Sequence, residues 1–332
     1  FSLASYREHF MRIAKSLMGG IAIAAAAIGM STPAQALDMG CSTAKLIVPW
    51  KAGGGTHIIF SQMEKTIQEM DVPVKLQVVT VPGQGGNKGA KEARKAKADG
   101  CTLFAIHQSA IVGFLNGRVD FTWDGFDMVA QVTSTPEIMG AAGSVPFNSI
   151  EELVAAAKAA PDTIELGATF GSTSQFMWLL FEDLTGTKFR YVPFDGTKER
   201  ITALLANTIK LATINIPTAR KHLATGDLKA FAIASDARSP LLPDLPTLKE
   251  LGVDMTYSLD RGIVAPKGTP KEIIDYWAGV IKQAAENPEF KSSLESKGTQ
   301  IKYRNAEEYA DWFKAEYDAH EKVAIKVGMF KK

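Results

Sequence analysis

The stretch from Lys45 to His57, KLIVPWKAGGGTH, constrains the fold more than any other part of the chain. Leu46, Ile47 and Val48 form an apolar run of the kind found in a parallel strand buried on both faces. Pro49 stops it. Gly53, Gly54 and Gly55 then make a turn without side chains, and Thr56 is a good helix N-cap. Behind it, Phe60, Met63, Ile67 and Met70 recur at helical spacing. Strand, glycine loop and helix N-terminus in this order aim bare backbone N–H groups and the positive end of a helix dipole at one spot, where an anion can sit. A turn that needs glycine only for positive φ is satisfied by one glycine; three in a row favour the anion site.

A nucleotide site is the obvious rival. A phosphate loop of the NTPase kind needs a Lys followed by Ser or Thr after its glycines. Neither Gly53–Thr56 nor the later run Gly83, Gln84, Gly85, Gly86 supplies that pair. The dinucleotide pattern G-x-G-x-x-G fails as well, because Lys88 stands where its third glycine is required. What remains is an anion cradle without nucleotide machinery.

The N-terminal region points to export. Met11 opens a short basic stretch, residues 17–30 are apolar, and Ala34-Gln35-Ala36 is a small-x-small cleavage site, so residues 11–36 read as a secretory signal peptide. The apolar run falls short of the ~20 residues that a spanning helix needs. Asp38 and Met39 before Gly40-Cys41 do not make a lipobox. Residues 1–10 precede the natural start at Met11 and are set aside as an upstream extension. Cleavage after Ala36 removes Arg7, Arg12, Lys15 and Glu8 from the chain's 37 basic and 36 acidic residues, leaving 34 against 35. That balance is no footprint for nucleic acid. The remaining length exceeds the ~250–300 residues at which a single core usually divides, so two lobes are expected. In an exported protein, the two cysteines, Cys41 and Cys101, read first as a disulfide. Two Cys and five scattered His do not offer a zinc site, and no cofactor is expected.

The mature chain alternates strand and helix signals. Residues 74–81 read as a strand ending in Pro82, Gly83, Gln84, Gly85, Gly86 and Asn87. Residues 101–106 read as a third strand, followed by His107, Gln108 and Ser109. Repeated strand–loop–helix units mean a mainly parallel sheet flanked by helices, with ligands beyond the carboxyl ends of the strands. A second set follows. Residues 164–168 end in a hydroxyl cluster with Ser172, Thr173 and Ser174 before an apolar helix. A strand at 190–194 leads to Asp195 and Gly196, and one at 211–214 ends at Asn215. The chain is expected to leave lobe one near Ser134–Glu137 and return near Ser258–Gly262. Lobe one is then 37–133 with 262–332, and lobe two is 134–261. In a sheet of order 2-1-3 the starts of the first and third strands are neighbours, which places Cys41 beside Cys101.

Catalysis needs a nucleophile with a base, a metal set or paired carboxylates. There is no H-E-x-x-H and no G-x-S-x-G elbow. Ser109 lies near His107, but residues two apart at a strand end are poorly placed as a pair. The expected molecule is not an enzyme but a cleft receptor that closes on an anion by hinge motion.

Several short motifs together resemble the TctC-like (Bug-type) solute receptors of tripartite tricarboxylate transporters. They are Pro49-x-x-Ala52-Gly53-Gly54-Gly55-Thr56, Pro82-Gly83-x-Gly85-Gly86 and Asp99-Gly100-x-Thr102-Leu103. Further on come Gly171-Ser172, Val192-Pro193-x-x-Gly196, Arg238-Ser239-x-x-Leu242-Pro243-Asp244-x-Pro246-Thr247 and Ala265-Pro266-x-Gly268-Thr269-Pro270. Any one is weak; their joint order is specific. The resemblance implies a two-lobed type II periplasmic binding fold, with a ligand carboxylate held by the two glycine loops and clasped by lobe two. It implies a large and a small integral membrane protein as partners. A monomer with one ligand is expected. Expected ligand contacts are Gly54–His57, Gly83–Asn87, Gln108, Ser109, Ser172–Ser174, Asp195 and Asn215. The sequence departs from the family at His57, where Asp is common, at Gln175, where His is common, and at Phe194-Asp195, where Tyr-Lys is frequent. His57 for Asp removes a negative charge beside the first loop. Di- or tricarboxylates or aromatic acids are therefore expected over amino acids. A sensory receptor of the same fold would have the same cleft, and a periplasmic enzyme acting on carboxylates is a third reading.

Overall fold

The computed structural model describes residues 39–329; the expected signal peptide at 11–36 and the segment 1–10 lie outside them. The chain opens as β1 (Thr43–Val48), α1 (Gly55–Glu69), β2 (Lys75–Thr80), α2 (Asn87–Arg94), β3 (Thr102–Ile106) and α3 (Ser109–Leu115). β1 alternates exposed and buried residues at its start and is wholly buried at its end. It pairs in parallel with β2 on one side and β3 on the other, which is the expected 2-1-3 order. α1 buries Ile59, Phe60, Met63 and Ile67. Its N-cap is Gly54, not Thr56. Thr56 stands inside the first turn, where its hydroxyl is already engaged by Arg261 Nε at 3.0 Å.

β4 (Phe126–Pro136) then runs into β5 (Ile138–Ala142) of a second sheet. That sheet is completed by α4 (Ile150–Ala159), β6 (Glu165–Ala168), α5 (Thr173–Thr185), β7 (Arg190–Pro193), α6 (Thr197–Leu205), β8 (Leu211–Ile214), α7 (Ile216–Thr225) and β9 (Leu228–Ile233). The chain returns through β10 (Ser258–Pro266), followed by α8 (Lys271–Glu286), α9 (Pro288–Glu295), β11 (Gln300–Arg304) and α10 (Ala306–Lys326). The first sheet has the order β11-β4-β10-β3-β1-β2 and the second β7-β6-β8-β5-β9. Each has a parallel core, β2-β1-β3 and β7-β6-β8. The remaining strands join antiparallel; β4 and β5 carry the chain from the first sheet to the second, and β9 and β10 carry it back.

Two paired segments connect the sheets. β10 lies antiparallel on β4, from Ser258 opposite Pro136 to Pro266 opposite Phe126. Just past β4, the Glu137 N–H donates to Tyr257 O at 3.0 Å, and Glu137 O accepts from Ala234 N at 2.8 Å. The last helix also touches both lobes. Tyr309 and Phe313 are buried near its start. Later on the same helix His320 stacks on Phe176 of α5, ring centroids 4.4 Å apart, and Lys326 pairs with Asp183 at 2.6 Å.

Cys41 is disulfide-bonded to Cys101, with Cα atoms 6.1 Å apart. The bond sits at the starts of β1 and β3, where Lys45 N donates to Cys101 O at 2.9 Å. No helix of the described residues is long and apolar enough to cross a membrane.

Candidate functional site

The carboxyl ends of β1, β3, β6 and β7 face the two connecting strands around a cavity of about 400 Å³. Three helix N-termini reach it: Gly54–Thr56 of α1, Ser172–Ser174 of α5, and Gly196–Arg200 of α6. None of the three N-caps, Gly54, Ser172 or Gly196, closes its helix with a side-chain hydrogen bond. By contrast α4, α9 and α10 are capped by Ser149, Asn287 and Asn305. An uncapped N-terminus leaves donors and the positive dipole end for another acceptor.

Three buried charges share the cavity wall. Arg261 from β10 is 1% exposed, Glu137 between β4 and β5 is 3%, and Arg200 from α6 is 4%. Arg261 Nε donates to Thr56 Oγ1, and its Nη1 donates to Thr135 Oγ1 at 2.8 Å and Leu259 O at 3.3 Å. Arg200 Nη1 donates to Thr169 Oγ1 at 2.8 Å and Nη2 to Thr197 Oγ1 at 3.0 Å, while its Nε is buried without a partner. Hydroxyls and one backbone carbonyl, not carboxylates, hold the two guanidiniums; neither is in an ion pair among the described residues. Burial lowers both arginines to about 10, so they stay charged at neutral pH. Burial pushes Glu137 up to about 7, against the pull of Arg261, Arg200 and a hydrogen bond from Asn215. With Glu137 ionised, this trio carries a net positive charge.

A flat wall completes the site. Trp50 stacks on His107 at 5.2 Å with 12° between planes, and Trp50 Nε1 is buried without a partner. His107 is held down to about 3, by burial first and Arg261 second, so it stays neutral. Its Nδ1 accepts the Ser109 backbone N–H at 3.2 Å. That contact makes His107 a wall and an acceptor, not a base for the Ser109 hydroxyl.

The expected contacts divide. Gly54, Gly55, Thr56, Ser172, Thr173 and Ser174 line the cavity. Ser174 Oγ is also spoken for by Thr169 N–H at 2.9 Å. Asn215 stands behind the rim, its Nδ2 3.9 Å from where a Gly55 Cβ would be. Gln84, Gly85 and Asp195 line a neighbouring groove of about 550 Å³ that shares Thr169 and Glu199 with the cavity. Gly83, Gly86 and Asn87 shape that loop: Asn87 Nδ2 donates to Gln84 O at 2.8 Å, and a Gly86 Cβ would stand 3.1 Å from the Trp50 ring. Three of the expected residues lie off this cavity. His57 is not on the cavity wall; Gly53 N–H donates to its Nδ1 at 3.3 Å and Ser61 Oγ lies 3.5 Å from Nε2, so the ring braces its own loop. Gln108 is tied to Asp260 and the Ser258 carbonyl, and it faces a separate cavity of about 940 Å³. Ser258 and Asp260 line that cavity while Leu259 and Arg261 line the first, as alternation along a strand requires. Ser109 is buried beside His107, away from both.

Sequence reasoning did not single out Arg200, Arg261, Glu137, Trp50 and His107 as expected contacts; they line the cavity. A signal existed for three of them: each is a charge set in an apolar run. Arg200 precedes the buried Ile201 and Leu204, Arg261 precedes Gly262–Ala265, and Glu137 precedes Ile138–Ala142.

Comparison with known proteins agrees with this architecture. The chain is 29% identical to protein BugT of Bordetella pertussis over 265 residues, 78% of this chain and 81% of that protein. The periplasmic binding protein BugD superimposes with a TM-score of 0.79 at 25% identity, covering 87% of this chain and 99% of that one. MatC from Rhodopseudomonas palustris with bound malate superimposes with a TM-score of 0.79 at 25% identity, covering 85% and 98%. The family model described as the tripartite tricarboxylate transporter family receptor matches residues 61–329, and the chain belongs to that family.

Proposed function

We propose that the protein is a periplasmic receptor that binds one small carboxylate in the cavity between its sheets. It would present that ligand to a large and a small integral membrane subunit of a tripartite tricarboxylate-type transporter. The observation that carries this reading is the pair of buried guanidiniums, from α6 and β10, that share one cavity and no ion pair. Two buried cations that share a single buried carboxylate, Glu137, leave charge uncompensated, and an entering anion offsets that cost. The uncapped N-termini of α1, α5 and α6 add donors around the same space. The malate in MatC, a protein of the same fold, supports a carboxylate as the ligand class. Residues 37–133 with 262–332 would move as one body and 134–261 as the other. Native mass spectrometry of freshly purified protein, followed by calorimetric titration with a panel of carboxylates and amino acids, tests the reading. A retained or tightly bound carboxylate at one per chain is expected. An amino acid bound more tightly than every plain carboxylate would count against it, as would binding by none of the panel.

A further inference from the structure

Glu137 is the one carboxylate of the buried trio, and the two arginines outnumber it. With Glu137 ionised, a monocarboxylate brings the set to neutrality, since two cations then face two anions. A dianion overshoots by one charge. The three charged side chains are themselves almost wholly buried, and an uncompensated buried charge is strongly disfavoured. The overshoot is removed if Glu137 takes a proton as the dianion enters. We propose that Glu137 is the specificity-setting carboxyl of this cleft, and that a dianion binds between Arg200 and Arg261 together with one proton, which Glu137 holds. The inference rests on the reading of the cavity as a carboxylate site.

The geometry suits this role. Glu137 is anchored by its backbone, bonded to Tyr257 O and Ala234 N, so its Cα keeps its place on the cavity wall while the connecting strands stay paired. Arg261 faces it from β10, Arg200 from α6, and the Asn215 amide from the start of α7. Tyr257 lies behind it and stays protonated, because burial raises its hydroxyl well above its ordinary value. Lys51, Lys198 and Glu199 stand at the cavity mouth, and His107 is neutral throughout the range concerned. Burial already holds Glu137 near 7 before any ligand arrives, so the proton is available at modest cost. The balance is one dianion and one proton entering, one neutral carboxyl formed, and no bond broken.

The sign follows from linkage. Below about pH 7 Glu137 is protonated with or without ligand, and a fully ionised dianion binds with no pH slope. Above it only the complex holds the proton, so affinity falls by up to about tenfold per pH unit. The test is calorimetry on the full mature chain between pH 7 and 8.5, in buffers of different ionisation enthalpy. The probes are succinate, glutarate and adipate, each beside its monocarboxylate, butyrate, valerate or hexanoate. The expected result is uptake approaching one proton per dicarboxylate at pH 8, a falling affinity with pH, and no slope for the monocarboxylates. Glu137→Gln should bind the same dicarboxylate without pH dependence and more tightly than the native protein at pH 8.5. A flat response in the native protein, or an equal slope in Glu137→Gln, overturns the proposal while leaving the carboxylate reading intact. Tighter binding of aspartate with rising pH also overturns it, since Glu137 would then be pairing with an ammonium. Failure of every probe to bind overturns the carboxylate reading, and this proposal with it.

Discussion

Arg200 is buried among hydroxyls, with one guanidinium nitrogen unpaired and no carboxylate in contact. Such a cation is held at a cost to the ligand-free fold and is useful only when an anion arrives. Arg200→Met keeps the apolar stem of the side chain and removes the guanidinium with its charge. It should weaken carboxylate binding by about thirtyfold or more, the scale for truncating a buried charged partner. In the same variant the ligand-free unfolding midpoint should stay level or rise by about a few degrees. Calorimetric titration and thermal melting read the two effects separately; unchanged affinity would remove Arg200 from the site. The sequence made His57 prominent instead, because it adjoins the glycine loop, and proximity along the chain was the only measure of proximity available. Arg200 follows Lys198 and Glu199 and reads as part of a solvated helix face. Its inward direction is set by the helical turn that also buries Ile201 and Leu204. Arg261 and Glu137 meet it only because β10 and the end of β4 run side by side, a pairing across more than 120 residues that no local pattern encodes.

Among the elements, the first parallel unit was the most legible, since an apolar strand, a glycine turn and a 3.6-residue stripe each constrain only local geometry. The antiparallel strands β4, β10 and β11 were less so, because their partners lie far along the chain; β4 and β10 are buried nearly continuously, and β11 has no fully buried residue. Strand order nevertheless makes a covalent prediction. Cys41 and Cys101 close a loop with a sequence separation of 60 at the ends of β1 and β3 away from the cavity. Loop-closure entropy for that length gives an upper contribution of about 4 kcal/mol. Native protein unfolded without reductant should therefore show no free thiols. Reduced protein should melt at a lower temperature yet bind its ligand unchanged when folded. Two titratable thiols in the unreduced protein would contradict the pairing.

On the scale of the whole molecule, the two lobes touch on both sides of the connecting strands. At the mouth Lys51 of lobe one pairs with Glu199 of lobe two, and Asp195 lies 3.8 Å from the same ammonium. These groups are largely exposed, so solvent screens the pair and it contributes little by itself. At the back, α10 is fastened to α5 through His320 and Phe176 and through Lys326 and Asp183. His320 Nδ1 also meets Glu316 O at 2.7 Å, and its Nε2 lies 3.3 Å from the Tyr257 hydroxyl. A molecule fastened at the back and weakly latched at the front should open from the mouth, pivoting on the β4–β10 pair. The arrangement here is a close one: a Cβ on Gly85, whose φ is +66°, would stand 3.1 Å from the Phe170 carbonyl oxygen of the opposite lobe. The ligand, touching both lobes, then favours the closed state by its differential affinity for the two. Small-angle scattering of the native protein should give a smaller radius of gyration with saturating carboxylate than without. Gly85→Ala adds a methyl group at this close approach and strains a left-handed backbone, so it should bind several-fold more weakly and contract less. Both effects should persist in high salt, because the mouth ion pair is not what drives closure. An unchanged radius in the native protein at saturation would exclude hinge closure, and a Gly85→Ala protein that binds and contracts like the native one would show that the lobes meet elsewhere when the ligand is held.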